Sequence, residues 1–266
     1  MKNSNQYALI TGGSSGIGYQ YARELAVRNY NIIIVSNEDD KNKQACQQLI
    51  NEFDIDALSF FIDLTLPDAA QKVFDFCIEK QLDVEILVNN AGMFFFQEIT
   101  QTSLDKANKM LMLHVTTPTL LCALFSKYMG EKKSGHILIT ASITVWMSYP
   151  GLALYGATKR YLKNFARSLR HEMKDNNVNV SVVCPSAIDT DLYNLDKKYR
   201  KMALRTGIMI SPEHLAKKAI RAMFHRRFLL IPTFLAKVSV GSAIITPPFV
   251  IQWMKRYMWK KLYGKD

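Results

Sequence analysis

Short apolar runs alternate with longer amphipathic segments over the first 190 residues, and this alternation leaves few folds open. Runs rich in β-branched or aromatic residues predict six strands: Tyr7 to Thr11, Asn31 to Ser36, Ala57 to Asp63, Glu85 to Asn89, His136 to Ala141 and Asn179 to Cys184. The intervening segments predict helices: Ile17 to Arg28, Asp39 to Glu52, Pro67 to Lys80, Ser103 to Met129 and Tyr155 to Lys174. Repeated βαβ units with right-handed crossovers predict an α/β fold, a doubly wound parallel sheet in the strand order 3-2-1-4-5-6.

Composition places the chain among globular proteins of a reducing compartment. Its 266 residues are 48% apolar and 21% charged, which suits one large core and excludes a disordered or disulfide-stapled chain. The cysteines, Cys46, Cys77, Cys122 and Cys184, are too widely spaced for a zinc site or redox motif, so no metal site is predicted. No secretory signal precedes the first apolar run, and we expect a cytoplasmic protein.

A glycine cluster, Thr11-Gly12-Gly13-Ser14-Ser15-Gly16-Ile17-Gly18, follows the first predicted strand. Glycine permits a tight turn after a strand, lets a pyrophosphate approach the backbone and lets a helix start pack on a sheet. Gly12, Gly16 and Gly18 can fill these roles, with helix amides facing the phosphates. A flexible turn is the alternative interpretation, but the position between a strand and a helix favours a dinucleotide site.

The chain resembles the short-chain dehydrogenase/reductase family, whose pattern T-G-x-x-x-G-x-G is matched by Thr11 to Gly18. Further segments resemble family motifs in the right order: Asp63-Leu64, Asn89-Asn90-Ala91-Gly92, Ser142 with Tyr155 and Lys159, and Pro185 to Thr190, where Ser186 replaces a glycine. The resemblance implies a Rossmann-type fold and an NAD(P)-dependent oxidoreductase that acts on a carbonyl or an alcohol. It also implies a set of cofactor-binding positions: Gly12, Ser14, Ser15, Gly16, Ile17, Gly18, Ser36, Asn37, Asp63, Leu64, Asn89, Ala91, Gly92, Tyr155, Lys159, Pro185, Ile188 and Thr190.

Tyr155 and Lys159 stand four residues apart on a predicted helix, so their side chains can converge. An ammonium near a phenol lowers the phenol pKa, which makes Tyr155 a candidate general acid or base. Ser142 could hold the substrate oxygen, and the resemblance implies that Lys159 also binds the nicotinamide ribose. A surface pair on an amphipathic helix would be the better interpretation of Tyr-x-x-x-Lys alone, but Ser142 and the glycine loop favour catalysis.

His114 occupies the place where the family commonly has an asparagine that helps to link the lysine to solvent. Imidazole both donates and accepts protons, so His114 is a candidate member of a catalytic relay. A packed histidine that only fills space is the alternative.

The choice between the two cofactors depends on the segment Val35-Ser36-Asn37-Glu38 at the end of the second strand. An acid at this point binds the ribose hydroxyls of NAD(H), whereas a 2′-phosphate favours a basic residue. The absence of an acid at Ser36 favours NADP(H), while the nearby acids Glu38, Asp39 and Asp40 favour NAD(H).

The charge of the chain is concentrated at its C-terminus. From Lys217 onward there are eleven basic residues and one acid, Asp266, so this part carries +10 of the net charge of +11. We therefore divide the chain into a catalytic domain, residues 1–227, and a C-terminal extension, residues 228–266, which resembles that of lipid-ketone reductases.

Within the extension, the longest uncharged run, Val238 to Trp253, has 16 residues and contains Pro247-Pro248, short of the ~20 needed to span a bilayer. Aromatic and basic residues interleave after it, which favours peripheral contact with an anionic membrane surface. An oligomer contact or a core-packing helix is the alternative, and no recognised motif indicates nucleic-acid binding.

The expected partners follow from the apolar segments. The extension and the run Met93 to Phe96 favour a hydrophobic substrate, such as a long-chain or polycyclic ketone. The helices around Ser103 to Met129 and Tyr155 to Lys174 resemble those that pair family subunits, so we expect a homodimer. A nucleotide-binding regulator that has lost its chemistry is the rival function, supported by His114 and Ser186.

Overall fold

A parallel sheet runs through the centre of the computed structural model, which describes residues 5–188 and 209–263. The strands of the chain are β1 (Gln6–Thr11), β2 (Asn31–Ser36), β3 (Ala57–Phe61), β4 (Asp83–Asn89), β5 (Gly135–Thr140), β6 (Val178–Val183), β7 (Ala187–Ile188), β8 (Met209–Ile210) and β9 (Leu229–Leu230). The large sheet has the order β3-β2-β1-β4-β5-β6-β9, and β7 pairs with β8 alone. The predicted order of the first six strands is confirmed, and β9 adds a seventh at the edge beside β6.

Helices cover both faces of the sheet: α1 (Gly16–Ala26), α2 (Asp39–Glu52), α3 (Ala69–Glu79), α4 (Leu104–Leu111), α5 (Thr117–Lys132), α6 (Ala153–Glu172), α7 (Pro212–Phe224), α8 (Phe234–Ile245) and α9 (Pro248–Tyr263). Side chains alternate along each strand, so Ile33 and Val35 of β2 join one apolar core and Ile32 and Ile34 join the other. This two-sided burial explains why the central strands are continuous apolar runs, and it confirms the doubly wound, Rossmann-type fold.

A π-helical turn, Met112–Thr116, joins α4 to α5 where the sequence predicts one uninterrupted helix. Pro118 stands near the start of α5, and a proline ring clashes with the carbonyl four residues earlier, here that of His114. The wider turn relieves this clash. The whole segment Leu104–Lys132 has the length and hydropathy of a membrane-spanning helix, but Phe125 and Met129 bury its inner face in the core.

The sheet continues through Leu230, three residues beyond the boundary at 227 that the charge distribution suggests. After it, α8 and α9 form the helical part of the extension. Thr246 and Pro247 separate them, and the chain bends by 108° between Phe234–Ile245 and Pro248–Tyr257. Together these segments are apolar enough to count as a broken membrane span. Ser211 caps α7 as predicted, because its hydroxyl accepts a hydrogen bond from the His214 amide.

Candidate active site

The carboxyl ends of the central strands border a cleft of about 540 Å³. In a doubly wound sheet this is the edge where ligands bind. The structure brings most of the predicted site residues to the wall of this cleft: Gly12, Ser14, Ser15, Gly16, Ile17, Gly18, Ser36, Asn37, Asp63, Leu64, Ala91, Gly92, Ser142, Tyr155, Lys159, Pro185 and Ile188. Two predicted residues, Asn89 and His114, do not line it, and Thr190 lies outside the described residues.

The glycine loop at one end of the cleft leaves no room for a side chain at Gly12 or Gly18. Gly12 has a φ of +64°, and a Cβ atom there would lie 3.0 Å from Ala91 Cα. A Cβ atom on Gly18 would lie only 1.9 Å from the Gly12 carbonyl oxygen. The start of α1 also suits an anion. Ser15 is the N-cap residue of this helix, but its side chain accepts no hydrogen bond from the amides of the first turn. The first amides of α1 therefore face the cleft without a side-chain acceptor.

Thr11 and Asn90 fix the glycine loop to the segment after β4. Thr11 Oγ1 accepts hydrogen bonds from the Asn90 amide at 2.9 Å and the Ala91 amide at 3.0 Å. Asn90 Nδ2 donates in return to the Thr11 carbonyl at 3.1 Å. Asn90 lines the cleft, whereas the predicted Asn89 points into the core and donates to Cys122 Sγ at 3.2 Å. Asn89 is therefore a structural residue, whereas Asn90 belongs to the same predicted motif but was not among the predicted cofactor-binding positions.

Glu38 is a further residue of the cleft wall that was not among the predicted site residues. Its carboxylate accepts a hydrogen bond from Ser14 Oγ of the glycine loop at 2.9 Å and another from Lys41 Nζ at 2.5 Å. The pKa of Glu38 is lowered chiefly by the hydrogen bond from Lys41 and more weakly by the one from Ser14, while partial burial acts in the opposite direction. The cleft thus has an ionised carboxylate at the end of β2.

Tyr155 and Lys159 both reach the cleft from α6, beside Ser142 at the end of β5. Lys159 Nζ lies 5.7 Å from the centroid of the Tyr155 ring and donates a hydrogen bond to the Thr140 carbonyl at 3.1 Å. Burial lowers the pKa of Lys159 to about 8, so at neutral pH its ammonium is still mostly protonated. A cation this close favours the phenolate form of Tyr155, which is the electrostatic condition for proton transfer.

His114 is buried behind the cleft and connects the segment after β4 to helix α6. The Met93 amide donates to His114 Nε2 at 2.9 Å, and Nδ1 lies 3.1 Å from Thr158 Oγ1. Because Nε2 accepts, Nδ1 carries the ring proton and donates to Thr158, whose hydroxyl in turn donates to the Tyr155 carbonyl at 2.8 Å.

Burial, and after it the charge of Lys159, hold the pKa of His114 well below its usual value. His114 is thus a neutral group with both nitrogens engaged. This arrangement favours the packed interpretation over the proton relay. The His114 ring also lies edge-on to the Tyr155 ring, with their centroids 5.7 Å apart. The Phe94 ring packs edge-on to the same tyrosine, with a distance of 5.0 Å between ring centroids. His114 therefore holds Tyr155 in position.

The comparison with known families decides the family to which the chain belongs. A family model described as short chain dehydrogenase matches residues 6–200. The chain belongs to the short chain dehydrogenase family.

The chain is 29% identical to the very-long-chain 3-oxoacyl-CoA reductase of Mus musculus over 197 residues, which is 72% of this chain but only 62% of the relative's length. It is also 29% identical to the inactive hydroxysteroid dehydrogenase-like protein 1 of Homo sapiens over 72% of this chain and 58% of that protein. Among solved structures, a 7beta-hydroxysteroid dehydrogenase superposes with a TM-score of 0.85 at 20% identity, covering 94% of this chain and 96% of that one. The superposition covers more of the chain than the residues 6–200 that the family model matches, so the likeness in fold extends beyond them.

The residues that line the cleft fit a nicotinamide dinucleotide. The glycine loop offers a close-fitting backbone surface for a pyrophosphate, and the first amides of α1 face it. At the other end of the cleft, Ser186 Oγ is buried and has no hydrogen-bond partner among the described residues. A buried hydroxyl normally has a partner, so a bound ligand would satisfy it.

Proposed function

We propose that this chain is an NAD(P)-dependent oxidoreductase that transfers hydride between a nicotinamide cofactor and a carbonyl or alcohol carbon of a hydrophobic substrate. One observation carries the proposal: the Lys159 ammonium lies 5.7 Å from the Tyr155 ring in the same cleft as the glycine loop. A nucleotide-sized cleft that contains a phenol beside a buried ammonium suits carbonyl reduction better than it suits binding alone.

The chemistry of the chain's own residues follows from their positions. The bound cofactor supplies or accepts the hydride. In the direction of reduction, Tyr155 donates its phenolic proton to the substrate oxygen, and Ser142 stabilises that oxygen by a hydrogen bond. Lys159 stabilises the resulting phenolate. Because its pKa is about 8, we expect this stabilisation to decline as the pH rises above that value.

The substrate we propose is a long-chain or polycyclic ketone, with a fatty-acyl or steroid-like body. Met93 lines the cleft and Phe94 packs on the Tyr155 ring, so the substrate side near the phenol is apolar. Helix α8 packs against the turn Ile143–Trp146, directly after Ser142, and adds apolar surface beside the same point. The name of the mouse relative, a 3-oxoacyl-CoA reductase, supports a lipid ketone.

For the cofactor we propose NADP(H), on the absence of an acid at Ser36. Glu38 limits this preference, because its carboxylate lies at the end of β2 and would repel a 2′-phosphate. Lys41, which pairs with Glu38, supplies the compensating cation.

For its organisation we propose a cytoplasmic homodimer with a catalytic domain of residues 1–227 and an extension of residues 228–266 that contacts an anionic membrane. Exposed apolar side chains on α4, α5 and α6, namely Leu104, Leu120 and Tyr161, support a subunit contact. Exposed aromatic residues of α8 and α9, such as Phe234 and Trp253, support the membrane contact.

The rival function, a nucleotide-binding regulator without chemistry, has a named precedent in the inactive human relative. A direct test uses the purified full-length chain with NADPH or NADH and a set of hydrophobic ketones, including a 3-oxoacyl thioester. Cofactor binding is followed by fluorescence and turnover by the absorbance of the reduced nicotinamide. Oxidation of the cofactor that depends on a ketone supports the enzyme. Cofactor binding without turnover on any ketone supports the regulator, and absence of binding overturns both.

A further inference from the structure

We propose that three basic residues of the catalytic helix, Arg160, Lys163 and Arg167, join the helices α8 and α9 in one surface that docks on an anionic lipid bilayer. We call these residues the basic row. The inference deepens the proposed function, since it rests on the membrane contact suggested there for the extension alone. It assigns the headgroup-binding cations to the catalytic domain itself.

The basic row lies along one face of α6, because its members are spaced by three and four residues. Contacts place it beside the extension. Arg160 Nε donates to the Val145 carbonyl at 2.7 Å, and Lys163 Nζ lies 4.7 Å from the centroid of the Trp146 ring. Both contacts are with the turn against which α8 packs.

The third member continues the row toward the edge of the sheet. The Arg167 guanidinium lies 5.9 Å from the ring centroid of Phe228, the residue just before β9. The charged ends of Lys163 and Arg167 thus lie over aromatic rings, and that of Arg160 is held by a backbone carbonyl. The row is therefore ordered along the side of the domain from which the extension emerges.

The charges of the basic row are uncompensated within the part of the chain that the structure describes. The ion pairs found there involve other lysines and arginines, and the only acid on α6 is Glu172 at its end. Arg160 and Arg167 are exposed. Lys163 between them is half-buried. A row of cations without a carboxylate partner among the described residues is complementary to lipid phosphates.

Beside these cations, α8 and α9 carry exposed apolar side chains: Phe234, Leu235, Val238, Ile244, Ile245, Phe249, Trp253 and Tyr257. Five of them are more than 60% exposed: Phe234 at 77%, Ile244 at 64%, Ile245 at 79%, Phe249 at 72% and Trp253 at 64%. Isolated apolar residues are common on protein surfaces, but a cluster on two consecutive helices marks an interaction site.

The charge decides which partner fits this surface. A second copy of the chain also carries a net charge of +11, and its own basic row would repel the first. An anionic bilayer satisfies both features at once, because apolar side chains enter the interface while Lys and Arg bind headgroups. We therefore commit to the bilayer over self-association through this face.

Docking in this way would bring the cleft to the lipid. The turn that anchors Arg160 and Lys163 begins one residue after Ser142, and Lys255 of α9 forms an ion pair with Glu98 at 2.7 Å, in the segment that follows Phe94 to Phe96. The docking surface thus reaches both sides of the substrate end of the cleft. An apolar substrate would pass from the bilayer to Tyr155 without crossing bulk water.

Flotation of the full-length protein with vesicles tests the inference without cofactor or substrate, so its outcome is independent of the proposed reaction. The vesicles are phosphatidylcholine alone or phosphatidylcholine with phosphatidylglycerol. The test variant is the triple substitution Arg160→Gln, Lys163→Gln and Arg167→Gln. The matched control, Lys43→Gln, Lys72→Gln and Lys109→Gln, removes the same charge from lysines that pair with aspartates elsewhere. Thermal melts establish that both variants are folded.

We expect the unchanged protein to float with the anionic vesicles and not with phosphatidylcholine alone. The basic-row variant should bind the anionic vesicles roughly a hundredfold more weakly, and the control should bind as the unchanged protein does. Equal binding by the two variants would overturn the inference. So would absence of flotation by the unchanged protein, or a loss of dimer in light scattering that accompanies the basic-row variant alone.

Discussion

Replacement of Lys159 by methionine should abolish turnover and yet stabilise the cofactor-free protein. The Lys159 side chain is fully buried, and its pKa is about 8 instead of the usual 10.5. At about 1.4 kcal/mol for each tenfold change in proton affinity, keeping this ammonium charged inside the fold costs roughly 3 kcal/mol. Methionine has a similar length and carries no charge, so the variant avoids this cost.

The gain is reduced by the hydrogen bond that Lys159 donates to the Thr140 carbonyl, which is worth about 1 kcal/mol. We therefore expect Lys159→Met to raise the free energy of unfolding by roughly 2 kcal/mol at pH 7. For a domain of this size the melting temperature then rises by about 4 °C or more. Lys127→Met, on the exposed side of α5, is the matched control and should change stability little.

The pH dependence separates a charge effect from a packing effect. The pKa of Lys159 is lower in the folded than in the unfolded chain, so the full cost is present below pH 8. Between about pH 8 and pH 10.5, Lys159 is deprotonated in the folded wild-type protein but still protonated in the unfolded chain. The cost of the buried charge is therefore absent there, and the stability of the wild-type protein rises relative to that of the variant. Calorimetry of the cofactor-free proteins at pH 7 and pH 9.5 measures the difference. The reasoning is refuted if the variant is less stable at pH 7, or if its advantage is the same at both values.

Three further substitutions probe the cleft. Glu38→Gln removes the carboxylate near a 2′-phosphate, so the ratio of NADPH to NADH affinity should rise roughly tenfold in a fluorescence titration; an unchanged ratio would remove Glu38 from cofactor selection. His114→Ala cuts the link between Met93 and Thr158, and kcat should fall with the shape of its pH profile preserved; loss of one limb of the profile would restore His114 as a proton carrier. Gly18→Ala places a Cβ atom 1.9 Å from the Gly12 carbonyl, so cofactor binding should be lost in calorimetric titration, and normal binding would show that the loop is not the pyrophosphate site.

Five of the six long strands are buried on both faces, which requires a nearly continuous apolar run such as that of Asn31–Ser36, and this run made them predictable. The sixth, β3, is only half-buried, and its apolar and aromatic composition does not depend on two-sided burial. Strand β9 could not be predicted, because two residues, Leu229 and Leu230, have no periodicity and join the sheet only through pairing with the distant β6. Local pattern therefore determines the core strands, whereas the edge depends on contacts remote in sequence.

The candidate site shows the same division. The glycine loop and the Tyr155–Lys159 pair could be predicted because their chemistry needs fixed local spacing. The choice between Asn89 and Asn90 could not, because it depends on which of two adjacent side chains points out of the sheet where β4 ends. The state of His114 depends on a backbone amide 21 residues away, which no local pattern reveals.

Tyr155→Phe is the most direct test of the claim that the Tyr155 phenol transfers the proton to or from the substrate oxygen. Its steady-state turnover with a hydrophobic ketone is compared with that of the wild-type protein, and cofactor affinity is measured on the same samples. We predict that turnover falls by roughly two to four orders of magnitude while the Kd for the cofactor changes by less than about twofold. Turnover equal to that of the wild-type protein would contradict the account.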